Sequence, residues 1–280
     1  MLNFKEGIIF YDGAMGTMLQ SRGLKPGQKP DFFNISNPEI VESVHKMYVS
    51  AGSDIICTNT FGANSDSLQD SGYTDEEIVK AAVAIAKRAA QEQAKVALCI
   101  GPTGQLLEPL GELVPEHAYE MFRRQAIAGE QAGADFAAIE TMSDLEEMRL
   151  ALRAVTENTK LPVLATMTFD ALGFTFTGCT PENFAAVAEL HGAAAVGLNC
   201  SLGPSQMRET AKRLIEATKL PVIIKPNAGL PDSTTGLYNL TAQQFAEQMA
   251  VFAEMGAKLL GGCCGTSPEY IDELVKKVQI

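Results

Sequence analysis

Basic residues are scarce in this chain: 22 Lys and Arg stand against 34 Asp and Glu, a formal net charge of −12. That balance argues against wrapping nucleic acid or docking on anionic lipid through general electrostatics. No apolar run approaches the roughly 18 residues needed to span a bilayer. Met1–Tyr11, carrying Lys5 and Glu6, lacks the basic end, apolar run and cleavage site of a secretory signal. The CxxC pairs of a closed structural zinc site are missing. Six cysteines in 280 residues do not make a disulfide scaffold, and the neighbours Cys263 and Cys264 are poorly placed to bridge each other. Histidine occurs three times; His45 and His191 fall in helical segments and His117 near a helix start, so they read as structural or solvated. No linker, low-complexity tract or second domain interrupts residues 1–280. What is present, 46% hydrophobic and 20% charged residues, suits a folded chain near the upper size of one core. The expectation is a soluble, cytoplasmic protein of one domain.

Short apolar, β-branched runs alternate with longer segments of helical period. Strands are predicted over 7–11, 54–58, 95–100, 135–139, 162–167, 194–198, 221–225 and 258–261. Helices are predicted in step over 39–50, 75–93, 116–132, 144–156, 181–190, 205–217, 242–255 and 268–278. Eight β-then-α units predict an α/β fold of the (β/α)8 TIM-barrel kind rather than a doubly wound open sheet. A weak repeat agrees: Thr159-Lys160-Leu161-Pro162-Val163 recurs as Thr218-Lys219-Leu220-Pro221-Val222. Gly52, Gly133, Gly192 and Gly256 stand where preceding helices should end in left-handed turns. Seven residues beyond them lie Asn59, Glu140, Asn199 and Cys263; eight beyond lie Thr60, Thr141, Cys200 and Cys264. Polar and sulfur-bearing residues thus recur at the carboxyl ends of alternate strands, the face that carries a barrel's active site. The long loops 13–38, 101–115, 169–180 and 226–241 belong to the same face.

Gly197-Leu198-Asn199-Cys200 and Gly261-Gly262-Cys263-Cys264-Gly265 close the sixth and eighth predicted strands. Their three thiols either converge on one metal ion or are buried apolar thiols, and spacing alone supports both readings. Zinc suits sulfur ligands, and three of them leave an exchangeable fourth position. Adjacent side chains on a regular strand face opposite ways, so a shared ion requires irregular backbone at Cys263–Cys264, which Gly261, Gly262 and Gly265 permit. Cys57 and Cys99 lie inside predicted strands and read as packing residues; Cys179, in a loop without a partner, reads as incidental. Asp12 and Glu140 follow the ends of predicted strands. Either alone suits a cap or a loop hydrogen bond; together they suit an anionic site for a substrate ammonium, or general acid–base work. Gly13-Ala14-Met15-Gly16, after Asp12, frees backbone N–H groups to hold an anion. An ammonium site beside an anion nest is what an amino-acid substrate needs.

Asp12-Gly13-Ala14-Met15-Gly16-Thr17-Met18-Leu19, Thr58-Asn59-Thr60-Phe61-Gly62-Ala63-Asn64, Gly197-Leu198-Asn199-Cys200, Pro226-Asn227-Ala228-Gly229 and Gly261-Gly262-Cys263-Cys264-Gly265 together resemble the homocysteine S-methyltransferase family, in family order and across essentially the whole chain. Asn37-Pro38-Glu39 leading into Val44-His45-Lys46-Met47-Tyr48 is most similar to the homocysteine module of cobalamin-dependent methionine synthase. The resemblance implies a TIM barrel with zinc on Cys200, Cys263 and Cys264, and a homocysteine thiolate in the open position. It implies that Asn227 fills that position when substrate is absent. Asp12 and Glu140 would hold the amino group. Backbone amides near Gly13 and Ala14, helped by Asn59 and Thr60, would hold the carboxylate. The implied reaction gives methionine, with the methyl group from methylcobalamin on a corrinoid protein or module. S-methylmethionine or another sulfonium is the rival donor, and a non-catalytic zinc- or thiol-binding barrel is the rival of another class. The chain stops at Ile280 without the pterin-binding, cobalamin-binding and reactivation regions of full-length methionine synthase, as expected of an excised module or a separate methyl-acceptor subunit.

The implied chemistry is self-consistent. A free thiol with a pKa near 8.5 is mostly protonated at neutral pH, and coordination to zinc deprotonates it. Three thiolates already give such a zinc site a net negative charge. A donor-rich site withdraws little charge from the substrate sulfur, which stays nucleophilic for in-line displacement at the methyl group.

Overall fold

The computed structural model describes residues 7–69, 71–232 and 234–279; Met1–Glu6, part of the N-terminal reading above, and Ile280 lie outside the described residues. The strands are β1 (Ile9–Phe10), β2 (Ile55–Cys57), β3 (Lys95–Ile100), β4 (Phe136–Met142), β5 (Val163–Met167), β6 (Ala195–Asn199), β7 (Val222–Lys225) and β8 (Leu259–Leu260). All pair in parallel, in the order β1-β8-β7-β6-β5-β4-β3-β2. A bridge between Tyr11 and Ile55, with the Asp12 amide donating to the Ile55 carbonyl at 3.0 Å, closes the ring into a (β/α)8 TIM barrel.

The helices are α1 (Gly16–Gln20), α2 (Phe33–Ser36), α3 (Pro38–Ser50), α4 (Ser65–Leu68), α5 (Asp75–Ala90), α6 (Pro115–Gln131), α7 (Leu145–Asn158), α8 (Pro181–Leu190), α9 (Pro204–Ala217), α10 (Ala242–Met255) and α11 (Pro268–Val278). Each of the eight predicted helices is present. The short α1, α2 and α4 lie in the loops after β1 and β2, where four or five residues are too few for a helical period to register. Proline opens α3, α6, α8, α9 and α11, where its missing N–H costs nothing. Capping boxes start α5 (Thr74 with Glu77) and α10 (Thr241 with Gln244). The turn glycines behave as expected: Gly52, Gly133, Gly192 and Gly256 have φ of 95°, 93°, 78° and 105°. Among the described residues no helix is long and apolar enough to cross a membrane.

One strand ends more than a single residue from its expected position. β4 does not stop at residue 139 but continues to Met142 through a register shift between Ile139 and Met142. Glu140 therefore lies inside the strand, at an irregularity, and Thr141 beside it has φ 63°. A bulge of this kind re-aims side chains next to a site. Conversely β8 ends at Leu260, so Cys263 and Cys264 lie past regular strand, as a shared site requires.

Apolar side chains pack in two zones. Ile9, Ile55, Ala97, Ala138, Leu164 and Ile223 belong to the cluster that fills the barrel interior. A larger zone lies between the strands and the surrounding helices, with Leu98, Phe122, Phe184, Ile224 and Phe245 among its members. The filled interior leaves chemistry to the carboxyl-end face.

Candidate metal and substrate site

Side chains alternate along a strand, so the interior positions predict which residues stand above them. Two residues beyond Ile55, Ala97, Ala138 and Ile223 come Cys57, Cys99, Glu140 and Lys225, all buried. They form the floor of a cavity of about 380 Å³, whose walls include Asp12–Thr17, Thr58, Asn59, Thr141, Asn199, Cys200, Cys263 and Cys264.

The three thiols meet at one edge of this cavity. Sγ atoms of Cys200, Cys263 and Cys264 all lie within 4.8 Å of one another, and Cys200 and Cys264 are 3.9 Å apart. Tetrahedral zinc–sulfur bonds of about 2.3 Å separate two ligand sulfurs by roughly 3.8 Å, so the trio fits such an ion. Backbone bonds lace their loops together. The Cys200 amide donates to the Lys225 carbonyl (3.0 Å), Cys263 to Pro226 (2.8 Å) and Ala228 to the Cys264 carbonyl (2.9 Å). Cys200 and Ser201 take left-handed backbone, with φ of 60° and 58°. Two glycines are required by contact. A Cβ at Gly262 would lie 2.2 Å from Thr266 Oγ1, and one at Gly265, where φ is +81°, would lie 2.3 Å from the Tyr238 ring.

Charge is unevenly shared among the thiols. Hydrogen bonds from Cys200 and Cys263 hold Cys264 at about 3. Cys200, lowered by its bond with Cys263 but raised by Cys264 and by burial, is pushed up to about 11. Cys263 is pushed well up by bonds to the other two and by burial. Tyr238 beside it lowers Cys264 further. Asn227 Oδ1 accepts from the Cys264 amide at 3.1 Å, placing this side chain against the cluster.

The carboxylates occupy different settings. Asp12 Oδ2 accepts from the Cys57 amide at 2.7 Å, whereas its buried Oδ1 has no partner among the described residues. Burial pushes the Asp12 carboxyl up to about 7, against the pull of Lys225 and the Cys57 amide. Glu140 Oε2 instead pairs with Lys225 Nζ at 2.6 Å. The Lys225 ammonium stands 4.4 Å from the centre of the Tyr11 ring, a cation–π contact. Burial opposes its charge, but Cys57, Glu140 and Asp12 hold it above the ordinary lysine range.

The backbone donors divide as well. The Ala14 amide is engaged with the Thr266 carbonyl (3.0 Å) and the Thr60 amide with Thr58 (2.9 Å). Among the described residues the amides of Gly13, Met15, Gly16 and Thr17 have no protein acceptor. Asn59 lines the cavity while its Nδ2 ties down the Pro30 carbonyl at 2.7 Å; the Thr60 hydroxyl turns away to the Cys99 carbonyl at 2.7 Å. Asn199 is fully buried and clamps the bulge: Oδ1 accepts from the Thr141 amide (2.9 Å) and Thr166 Oγ1 (2.8 Å), and Nδ2 donates to Thr141 Oγ1 (2.7 Å).

Cys57 and Cys99 are buried as expected, yet both also line the cavity. Cys179 is buried away from the cluster, its thiol on the Thr180 carbonyl. His45 is buried and, because of that burial, held neutral at about 4; His117 pairs at the surface with Asp66. Sequence reasoning missed Lys225 and Tyr238, and put Asn199 on the active face without foreseeing that it clamps the bulge. Period-two alternation from Ile223 was a signal for Lys225; nothing local marked Tyr238.

Fold and site define a (β/α)8 barrel with a three-thiol centre beside a charged cavity at the carboxyl ends of its strands. Residues 9–278 match the homocysteine S-methyltransferase family, and the chain belongs to that family. It is 33% identical to methionine synthase of Mycobacterium leprae over 98% of this chain and 24% of that protein. It is 34% identical to methionine synthase of Mycobacterium tuberculosis over 98% of this chain and 25% of that protein. The chain thus spans about a quarter of the length of these relatives. The metallated form of the homocysteine methyltransferase MmuM from Escherichia coli shares the fold, with a TM-score of 0.85, 23% identity, and coverage of 98% of this chain and 97% of that one.

Proposed function

We propose that this barrel methylates the thiol of L-homocysteine to give methionine, using zinc held by Cys200, Cys263 and Cys264. The observation that carries the reading is the meeting of three thiols, an unpartnered buried carboxylate and free backbone amides around one cavity. Zinc on this donor set supplies a Lewis acid that keeps a thiol deprotonated at neutral pH. In this reading Asn227, whose Oδ1 accepts from the Cys264 amide, would fill the fourth position when substrate is absent. The substrate ammonium meets Asp12 Oδ1, the free acceptor on the acidic side of the cavity, where Glu140 is already paired with Lys225. The substrate carboxylate meets the N–H groups of the Gly13–Thr17 segment, with Asn59 shaping the wall. Ala14 anchors that segment to Thr266, and Thr60 holds its own turn through Thr58; neither is a donor, because their amides are already used.

The methyl donor in this reading is a methylcorrinoid on a partner protein or module. The greater length of the methionine synthase relatives supports this, as does the leaving-group chemistry: a methyl on cobalt leaves more readily than one on an unactivated folate nitrogen. Purified protein is assayed with homocysteine and methylcobalamin, methyltetrahydrofolate or S-methylmethionine side by side. Methionine from methylcobalamin alone is the expected result. Turnover with S-methylmethionine and none with methylcobalamin would overturn the donor assignment, and no methionine from any donor would overturn the function.

A further inference from the structure

We infer that Lys225 sets the charge that a substrate of this cavity must bring, by acting as the resident counter-ion of Glu140 and leaving Asp12 as the one uncompensated carboxylate. The inference rests on the proposed homocysteine reading and assigns a specificity role to a residue that reading does not use.

The charges inside the cavity can be summed from named groups. Asp12, Glu140 and Lys225 all line it and are all buried. The Lys225–Glu140 pair is short, at 2.6 Å, with side-chain exposures of 5% and 10%. Lys225 cannot leave Glu140 cheaply, since the Tyr11 ring at 4.4 Å and the Cys57 thiol at 3.8 Å also surround its ammonium. Glu140 is therefore matched within the protein. Asp12 is not: its Oδ1 is buried without a hydrogen-bond donor among the described residues. Apart from the thiol centre, two carboxylates and one ammonium leave a single negative charge to be met. A ligand with one ammonium completes the set. A buried ion pair that faced away from the cavity would affect stability alone; this one stands in the cavity floor.

The prediction concerns ligand charge. Three thiols are compared by calorimetric titration of the zinc-loaded full chain: homocysteine, 3-aminopropane-1-thiol, which lacks the carboxylate, and 4-mercaptobutanoate, which lacks the amine. Wild type should prefer homocysteine. Lys225→Met leaves two unmatched carboxylates, so affinity for 3-aminopropane-1-thiol relative to homocysteine should rise roughly ten-fold and that for 4-mercaptobutanoate should fall similarly, as expected for one charge acting across a partly shielded site. Lys225→Arg, which keeps the charge, should stay near wild type.

The double variant Lys225→Met/Glu140→Gln is the decisive arm, because it removes both members of the pair and so leaves no uncompensated buried charge of theirs to destabilise the fold. It leaves Asp12 as the only charge beyond the thiol centre and should return the ligand ratios to within a few-fold of wild type. Unchanged ratios in Lys225→Met would overturn the inference. So would a double variant that binds homocysteine no better than Lys225→Met, since Glu140 would then contact the substrate itself. If wild type does not bind homocysteine at all, the functional reading fails, and this inference with it.

Discussion

Replacing Asp12 by Asn should stabilise the metal-free protein while weakening its hold on homocysteine. The carboxyl stands at about 7 in the fold, above its ordinary 3.8, because burial penalises the ion. Its folded pKa exceeds its unfolded one, so the folded state keeps the extra proton between about pH 4 and 7. The linkage has a definite sign: stability falls as pH rises through that window, and the full penalty is present above it. A displacement of this size corresponds to ~4 kcal/mol. Asparagine has no charge to bury, and its carbonyl can still accept from the Cys57 amide, now 2.7 Å from Asp12 Oδ2. Urea unfolding of both proteins from pH 4 to 8 should show the variant gaining on wild type as pH rises, by a few kcal/mol at the upper end. Homocysteine binding should weaken by ~1.5–3 kcal/mol, the loss of a charge-assisted hydrogen bond, or roughly ten- to a hundred-fold in Kd. A stability difference that is flat between pH 4 and 8 would refute the account of the buried carboxylate. Unchanged homocysteine affinity would refute its assignment to the ammonium.

Cys200→Ser, Cys263→Ser and Cys264→Ser should each sharply weaken zinc binding, because each removes one of three sulfurs gathered within 4.8 Å; stoichiometric zinc by metal analysis in all three variants would defeat the assignment. Glu140→Gln should also raise the homocysteine requirement, since it leaves the Lys225 ammonium without its 2.6 Å partner beside an incoming cation; equilibrium titration measures this. Asn199→Ala should cost ~3 kcal/mol in denaturant unfolding, because the buried Thr141 amide and Thr166 hydroxyl lose their shared acceptor. A loss below about 1 kcal/mol would mean that the β4 bulge is held by other contacts.

The alternation of strands and helices was legible because burial imposes a period of two on one and 3.6 on the other, and both periods run over consecutive residues. The left-handed glycines after α3, α6, α8 and α10 were legible for a similar reason, since a helix ends locally. So were the cysteines, whose motifs are contiguous even though the metal reading needed the family resemblance. What the chain does over long separations was not readable. Glu140 and Lys225 are 85 residues apart, and no local pattern announces that one neutralises the other. The Ala14 amide lies in a run of small residues, yet the Thr266 carbonyl, far along the chain, occupies it. The continuation of β4 past Ile139 likewise depends on Asn199 clamping Thr141 from β6. Sequence by itself determined the barrel and the candidate ligands, because periodicity, turns and motifs are properties of neighbouring residues. Only the tertiary structure decided which buried charges and amides are already matched and which remain for a substrate, because pairing inside a barrel is fixed by strand register between segments the chain keeps far apart.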